Sequence, residues 1–456
     1  MMRYVKRYFK AYLYLATLII PLAGCGRGGQ TSSVAAASTS TSIANDPCAI
    51  ALAPHQGSDQ VDQDITHAQE QARSARSTDA AWERLGWLYV SKARGSFDPG
   101  YYKLAEQAAL CLDSKSPGSP DALLLRGHVL DSLHRFHDAE EIARKLVASR
   151  ETPFDYGLLG DTLMEQGRLE EATDAYQKMV DLKPDLQSYA RAAHMRWLKG
   201  DLASAIQFAR MAASAGSPRD PNSLAWIETR LSSYQLQAGH LDESSASCDA
   251  ALRHSSDYAP ALLARGRILL AQDKNAEAIE PLGRAAELNP LPEYHWALAE
   301  ALRAANRDAE AREVESQLAA RGEVDDPRTY SLYLSTRREQ TDVALRLAAQ
   351  ELKNRADVFT LDAHAWALAA TGRATEARAE SRRSLAEGTK DARLFYHAGA
   401  IARAAGDERE ARRLLALATS LQQTLLPSER DDLAKLNASP TGDAVNKEGR
   451  RTKVAR

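Results

Sequence analysis

Three histidines, His128, His134 and His137, crowd the stretch HVLDSLHRFH, a residue type and density that zinc sites use. On a helix and the turn after it, positions 128 and 134 point to different faces, and no cysteine or carboxylate completes a ligand set. Paired acids such as Glu170-Glu171 have the makings of a general acid and base, but they fall where a second helix starts and offset the positive end of its dipole. The chain contains no HExxH, GxSxG, Walker loop or CxxC pair. The expectation is therefore a protein that is not an enzyme, with no metal site and no cofactor.

The four cysteines carry more information. Cys25 ends the stretch LIIPLAGC, which follows Arg3, Lys6, Arg7 and Lys10 and an uncharged apolar run from Ala11 to Ala23. A basic start followed by a short apolar run is the layout of an export signal. Its thirteen residues make roughly 20 Å of helix, short of the ~30 Å hydrocarbon core of a bilayer. Leu22-Ala23-Gly24-Cys25 resembles the lipobox of bacterial lipoproteins, the alternative being an ordinary secretory signal with a chance cysteine. The resemblance implies that Cys25 is acylated, here with more than one chain, the condition for stable anchoring. With Gly rather than Asp at position 26, it also implies attachment to the outer membrane, facing the periplasm of the bacterial cell envelope. Of the other cysteines, Cys48 and Cys111 both lie near the start of the folded part and can pair in an oxidising compartment, unpaired thiols being the alternative; Cys248 is left over.

After Cys25, GRGGQTSSVAAASTSTSIAN has almost no large apolar side chains and reads as a flexible tether with a reach of roughly 25 Å. The chain holds 58 Lys and Arg against 61 Asp and Glu, and loss of the four basic residues before Cys25 leaves 54 against 61. A mildly acidic protein gives no reason to expect a nucleic-acid partner.

The elements that must position any site are written in a repeat. In PFDYGLLGDTLMEQGRLEEATDAYQKMVDLKP, residues 153–184, Leu159, Gly160, Leu163, Gly167, Ala172, Tyr176 and Pro184 stand at the offsets of a 34-residue helix-turn-helix unit. Gly160 and Ala172 are small where two helices approach closely, Gly167 permits the turn between them, and Pro184 stops the second helix. The pairs Gly127–Ala139, Gly160–Ala172, Ala193–Ala205, Gly266–Ala278, Ala299–Ala311, Ala365–Ala377 and Gly399–Ala411 keep one spacing of twelve residues. Ser232–Ser244 and Leu332–Ala344 are weaker copies, and a first unit opening with AWERLGWLYV reads as interrupted in its loop by RGSFDPG. This pattern resembles the tetratricopeptide repeat, which implies an all-α fold, a right-handed α-solenoid of about ten units burying their apolar faces on one another. The expected organisation is a signal at 1–24, lipidated Cys25 and tether over 25–45, the solenoid over 46–426, and a capping helix with a disordered tail over 427–456. The basic cluster of that tail is a weak pointer to anionic contacts.

The resemblance also implies where ligands would lie. In tetratricopeptide solenoids the first helix of each unit lines a concave groove, and counting the small residue as number eight transfers the contact positions to this sequence. Trp87, Trp197, Trp226, Trp296 and Trp366 then face the groove, with Arg267, Arg303, Arg337, Arg403, Tyr333 and Tyr396. Such a ladder would suit protein or peptide segments, since Trp, Tyr and Arg dominate interface hot spots, and a polysaccharide is the alternative ligand. A one-residue error of register would instead make some of these rings ordinary core. The layout resembles tetratricopeptide lipoproteins that help assemble envelope machines, so the expected role is a periplasmic adaptor or scaffold. A glycan-binding or regulatory subunit of an envelope enzyme or exopolysaccharide exporter is the second reading. The basic clamp of chaperone-tail binders is missing, with acidic Asp161 and Glu165 at inner positions.

Overall fold

The computed structural model describes residues 46–74 and 78–438; the signal, Cys25, the tether and the C-terminal tail lie outside the described residues. Within them there are 23 α-helices, one short 3-10 turn and no strand. Two N-terminal helices, α1 (Pro47–Ala51) and α2 (Gln60–Arg73), precede ten antiparallel pairs. Units one to five are α3 (Asp79–Ser96) with α4 (Gly100–Lys115), α5 (Pro120–Ser132) with α6 (Phe136–Arg150), α7 (Pro153–Glu165) with α8 (Leu169–Leu182), α9 (Leu186–Leu198) with α10 (Leu202–Ser214), and α11 (Pro221–Gln237) with α12 (Leu241–His254). Units six to ten are α13 (Ala259–Ala271) with α14 (Asn275–Leu288), α15 (Pro292–Ala304) with α16 (Asp308–Asp325), α17 (Pro327–Arg337) with α18 (Thr341–Asn354), α19 (Val358–Ala370) with α20 (Ala374–Ser384), and α21 (Ala392–Ala404) with α22 (Glu408–Ser420). A 3-10 turn over Gln422–Thr424 and helix α23 (Pro427–Ala438) follow. The fold is the α-solenoid of helix-turn-helix units that the repeat implies.

Local chemistry sets the frame. First helices repeatedly open on proline, as at Pro153 and Pro292, where the missing N–H costs nothing. At α7 the Thr152 side chain and Asp155 cap each other's backbone, and the Arg150 guanidinium grips the fully buried Asp155 carboxylate at 2.9 Å. Within each pair small residues allow close approach. A side chain at Gly160 would strike the Tyr176 ring, and Ala172 is fully buried. Unit five reaches the same closeness with hydroxyls: Ser232 donates to the Ser244 carbonyl and Ser244 to the Ser232 carbonyl, both at 2.8 Å. In unit eight it is Ser331, not Leu332, that meets Ala344, its hydroxyl donating to the Ala344 carbonyl at 2.7 Å. The register there is one residue off the expected pair, and the turn that follows uses left-handed Arg338 and Gln340 instead of a glycine.

The interruption expected in unit one is not a longer loop. Helix α3 runs 18 residues against 13 in α5, and ends on left-handed Phe97 (φ 56°). The added turn carries Phe97 onto the apolar cluster built by units six to ten.

That contact belongs to a seam. The turns inside units three to six meet the loops that link units eight, nine and ten and the C-terminal cap. A side chain at Gly167 would strike the Ala356 carbonyl, and one at Gly200 the Gly388 carbonyl. Thr389 donates to the Leu198 carbonyl and Gln237 to that of Lys390. Gln423 donates to the Leu236 and Gln237 carbonyls at 3.2 and 2.9 Å, and Arg430 to that of Leu270 at 2.9 Å. The superhelix therefore closes on itself, one turn resting on the next.

At the N-terminal end, a Cys48–Cys111 disulfide ties α1 to α4, with a Cα separation of 4.8 Å. Tyr89 donates its hydroxyl to the Ala51 carbonyl at 2.7 Å, and Gln69 donates to the Tyr89 oxygen at 2.8 Å. Cys248 is a free, buried thiol.

Candidate functional site

The seam changes what the concave positions face. Units eight to ten and the cap lie over the first helices of earlier units, so much of the expected groove surface is occupied by the chain itself. Trp296 is 3% exposed: its indole donates to Glu300 at 3.3 Å, its edge meets Tyr333 at 5.7 Å, and the Arg393 guanidinium lies 5.0 Å from its ring centroid. Trp366 is 9% exposed, stacked on His397 at 4.1 Å, and donates to Thr336 at 3.1 Å. Tyr333 and Tyr396 are buried as well. These four rings are core residues and not rungs of an open ladder. Trp366, Tyr396 and Tyr333 pack against rings of adjacent units, Tyr333 in a unit whose register lies one residue earlier than expected, and Trp296 is covered in addition by Arg393 of unit ten.

The expected arginines are likewise engaged. Arg267 pairs with Glu293 at 2.8 Å and Arg303 with Glu315 at 2.5 Å. Arg337 reaches the same Glu315 at 2.9 Å, while Arg403 pairs with Glu408 at 2.8 Å and donates to the Leu436 carbonyl. Trp87 is half-buried against His128, 5.3 Å away, and His128 also meets Arg94 at 2.5 Å. His134 and His137 are exposed. Among the expected rings, Trp226 alone counts as exposed, at 37%. The acidic inner residues are neutralised from within: Asp161 accepts from Arg191 at 2.6 Å and Glu165 pairs with Arg355 at 2.6 Å.

Trp197 has a different setting. It sits half-buried at the wall of a cavity of about 580 Å³ that opens where the two turns of the superhelix meet. Helix α9 supplies His194 and Trp197, and α11 supplies Arg230. Across the seam stand Arg328 of α17, the linker residues Arg355 and Asp357, Phe359 at the start of α19, and Arg383 with Glu387 near the end of α20. The Trp197 ring stacks on Phe359 at 5.3 Å, tilted 17°, and its indole donates to Gln237 at 2.5 Å. His194 and Tyr234 complete the aromatic cluster, 5.1 and 5.9 Å from Trp197.

Charge on the cavity wall is mostly paired. Arg355 bridges Glu165 and Asp357 (2.6 and 3.0 Å), Arg328 lies 3.4 Å from Asp357, and Arg383 pairs with Glu380 at 2.8 Å. Burial raises the Glu165 pKa, with Arg355 opposing the shift. Arg230 is the exception. Its Nη2 donates to His194 Nδ1 at 2.7 Å and to the Tyr234 oxygen at 3.1 Å, and its guanidinium lies 5.8 and 5.3 Å from the Trp197 and Tyr234 rings. Burial, with the Arg230 charge beside it, drives the His194 pKa well below the usual histidine range, so this ring is neutral and can accept. The cavity thus joins guanidinium groups to an aromatic lining, an arrangement that can bind and orient a ligand.

Of this site, sequence reasoning found Trp197 and placed Glu165 at an inner position. Arg355 and Asp357 stand in a linker where the repeat fixes no residue, and Arg230 is one position away from the transferred groove positions. Phe359 does occupy the second place of unit nine, which is a groove position, and that was the available signal.

The tetratricopeptide repeat family matches this sequence over residues 124–187, 158–221, 229–291 and 263–326. No curated protein matches the chain. Among solved structures it is similar to a tetratricopeptide-repeat protein of Thermus thermophilus at 20% identity, covering 42% of this chain and 100% of that one, with a TM-score of 0.37. It is also similar to the human IFIT1 dimer solved with PPP-AAAA (13% identity, 84% of this chain and 100% of that one, TM-score 0.46). A tetratricopeptide-repeat protein of Parabacteroides merdae matches at 18% identity, over 56% of this chain and 99% of that one, with a TM-score of 0.32. Repeats of this kind are generally non-catalytic scaffolds that bind protein partners, and the matched segments fall on units two to seven of an α-solenoid of ten helix-turn-helix pairs.

Proposed function

We propose that the protein is a lipid-anchored adaptor of the bacterial cell envelope, held on the outer membrane and facing the periplasm, which binds protein or peptide segments on its repeats. The observation that carries this reading is an exposed apolar set on units three to five. Of the five large hydrophobic residues exposed among the described residues, four, Phe154, Leu182, Met211 and Trp226, belong to these three units. Phe154 and Trp226 both occupy the second place of their unit, toward the start of the first helix, whereas the seam lies past its end. At 1.5 Å per residue Phe154 stands roughly 20 Å from the Gly167 turn, so the seam leaves this edge uncovered. Exposed apolar side chains on consecutive units mark candidate interaction sites; the Lys183 ammonium, paired with Asp185 at 3.1 Å, lies 5.0 Å from the Phe154 ring. The compartment is supported by the lipobox around Cys25 and by the Cys48–Cys111 disulfide, a bond that persists in oxidising compartments.

In-cell crosslinking and capture tests the adaptor reading. The wild type should retain a partner that a Phe154→Ala/Trp226→Ala double variant, folded by circular dichroism, loses; retention of the same partner by the folded variant refutes this docking edge. Cys25→Ala should abolish labelling with palmitate and release the protein from membranes, and unchanged labelling refutes the anchor.

A further inference from the structure

The cavity at the seam adjoins the proposed docking edge along α11, where Arg230 stands one helical turn from Trp226, but its chemistry points to a different kind of ligand. We propose that it binds a small aromatic anion, with the acidic group on Arg230 and the flat body against the Trp197–Phe359 stack. This stands whether or not the repeats take a protein partner.

Three observations converge on it. First, Arg230 is the cavity guanidinium without a carboxylate: among the described residues no Asp or Glu forms an ion pair with it, while Arg328, Arg355 and Arg383 each have one. Its hydrogen bonds to described residues leave from Nη2 alone, to the neutral acceptors His194 and Tyr234. An arginine has five N–H donors in a planar fork, so the remaining donors suit the two oxygens of a carboxylate or phosphate. A cation held in a half-enclosed site without a counter-charge is stabilised by an anion brought to it.

Second, the lining beside that charge is aromatic and apolar. Trp197 and Phe359 stack on each other across the seam, and Met164, Leu169, Val358 and Leu361 complete the apolar lining. A ring laid against these side chains gains aromatic contact as well as burial. Third, the volume is right. About 580 Å³ falls in the range that houses small ligands, roughly 300–1,000 Å³. The two walls come from opposite arms of the chain, α9 and α11 on one side and the Arg355–Phe359 linker on the other, so the site exists only in the closed superhelix.

The test titrates the purified full chain by calorimetry with 2-naphthoate, 2-naphthyl phosphate and the neutral 2-naphthylmethanol. Saturable one-site binding of either anion, at least tenfold tighter than the alcohol, is expected; the better of the two identifies carboxylate or phosphate as the favoured acidic group. Arg230→Gln, which keeps a donor for Tyr234 but removes the charge, should weaken the anion at least tenfold. Absence of saturable binding by both anions, equal binding of the alcohol, or an unchanged Kd in a folded Arg230→Gln variant each overturns the proposal. Because the alcohol comparison uses the wild type, it decides the matter even if the variant does not fold. Displacement of bound 2-naphthoate by a peptide ending in a free carboxylate, at lower concentration than naphthoate itself requires, would overturn the small-ligand assignment in favour of a protein terminus.

Discussion

Trp226 and Trp296 stand two units apart at positions the repeat treats as groove, yet the structure gives them opposite surroundings. Trp226 is 37% exposed, whereas Trp296 is 3% exposed beneath Arg393 and against Tyr333. Trp296→Ala should therefore cost about 3–5 kcal/mol of stability, the usual range for emptying a large core site, while Trp226→Ala should change it by under about 0.5 kcal/mol. Chemical denaturation of the two single variants measures this; equal losses would mean that both rings are core. Single residues were legible unevenly in the sequence. Gly160 and Ala172 declare themselves because a close helix crossing admits only small side chains. Trp296 does not, because whether its ring meets water depends on the arm carrying Arg393, about a hundred residues later in the chain.

Among the elements, the N-terminal pair α1 and α2 has a pH dependence of its own. Burial disfavours the Asp62 carboxylate, but hydrogen bonds from Lys92 and His55 and the Asp59 amide prevail and hold its pKa down at about 2. A pKa below the unfolded value of about 3.9 adds stability at pH above that value, and this is lost as pH falls toward 2. The difference in melting temperature between the wild type and Asp62→Asn should thus be full at pH 6 and shrink between about pH 4 and 2. A constant difference across that interval would show that the network around Asp62 does not stabilise the charged form. The lengthened α3 belongs to the same scale. RGSFDPG reads as a loop insertion because glycine and proline punctuate it, but the helix continues to Ser96 since Phe97 gains a contact on the far cluster.

As a whole molecule, the chain shows how far a repeat can be read from its period. The spacing of twelve residues between small positions yields the helix pairs and their number, because that information is local to each unit. The pitch of the superhelix is not local, and it decides that Gly167 meets Ala356 and that Thr389 bonds Leu198. Hence the solenoid was legible while the cavity and the covered part of the groove were not. Open solenoids unfold nearly as a sum of neighbouring units. Here the seam couples units three to six with eight to ten, so denaturant unfolding should be one sharp transition by both fluorescence and circular dichroism. Thr389→Val with Gln423→Ala, which removes seam hydrogen bonds, should lower stability by about 1–3 kcal/mol and broaden or split that transition. An unchanged transition would show that the seam contacts contribute no coupling.

The seam also sets an order of events during synthesis. Its first row, from Gly167 to Asp273, is made early, and its second row, from Arg355 to Arg430, is made near the end. Until the later row emerges, the inner faces of units four to seven, with Trp197 and Trp296, have nothing to lie against. A chain cut short before Ala356 lacks the Phe359 face that covers Trp197 and the Arg393 that covers Trp296, and should be cut faster by proteases than the full chain.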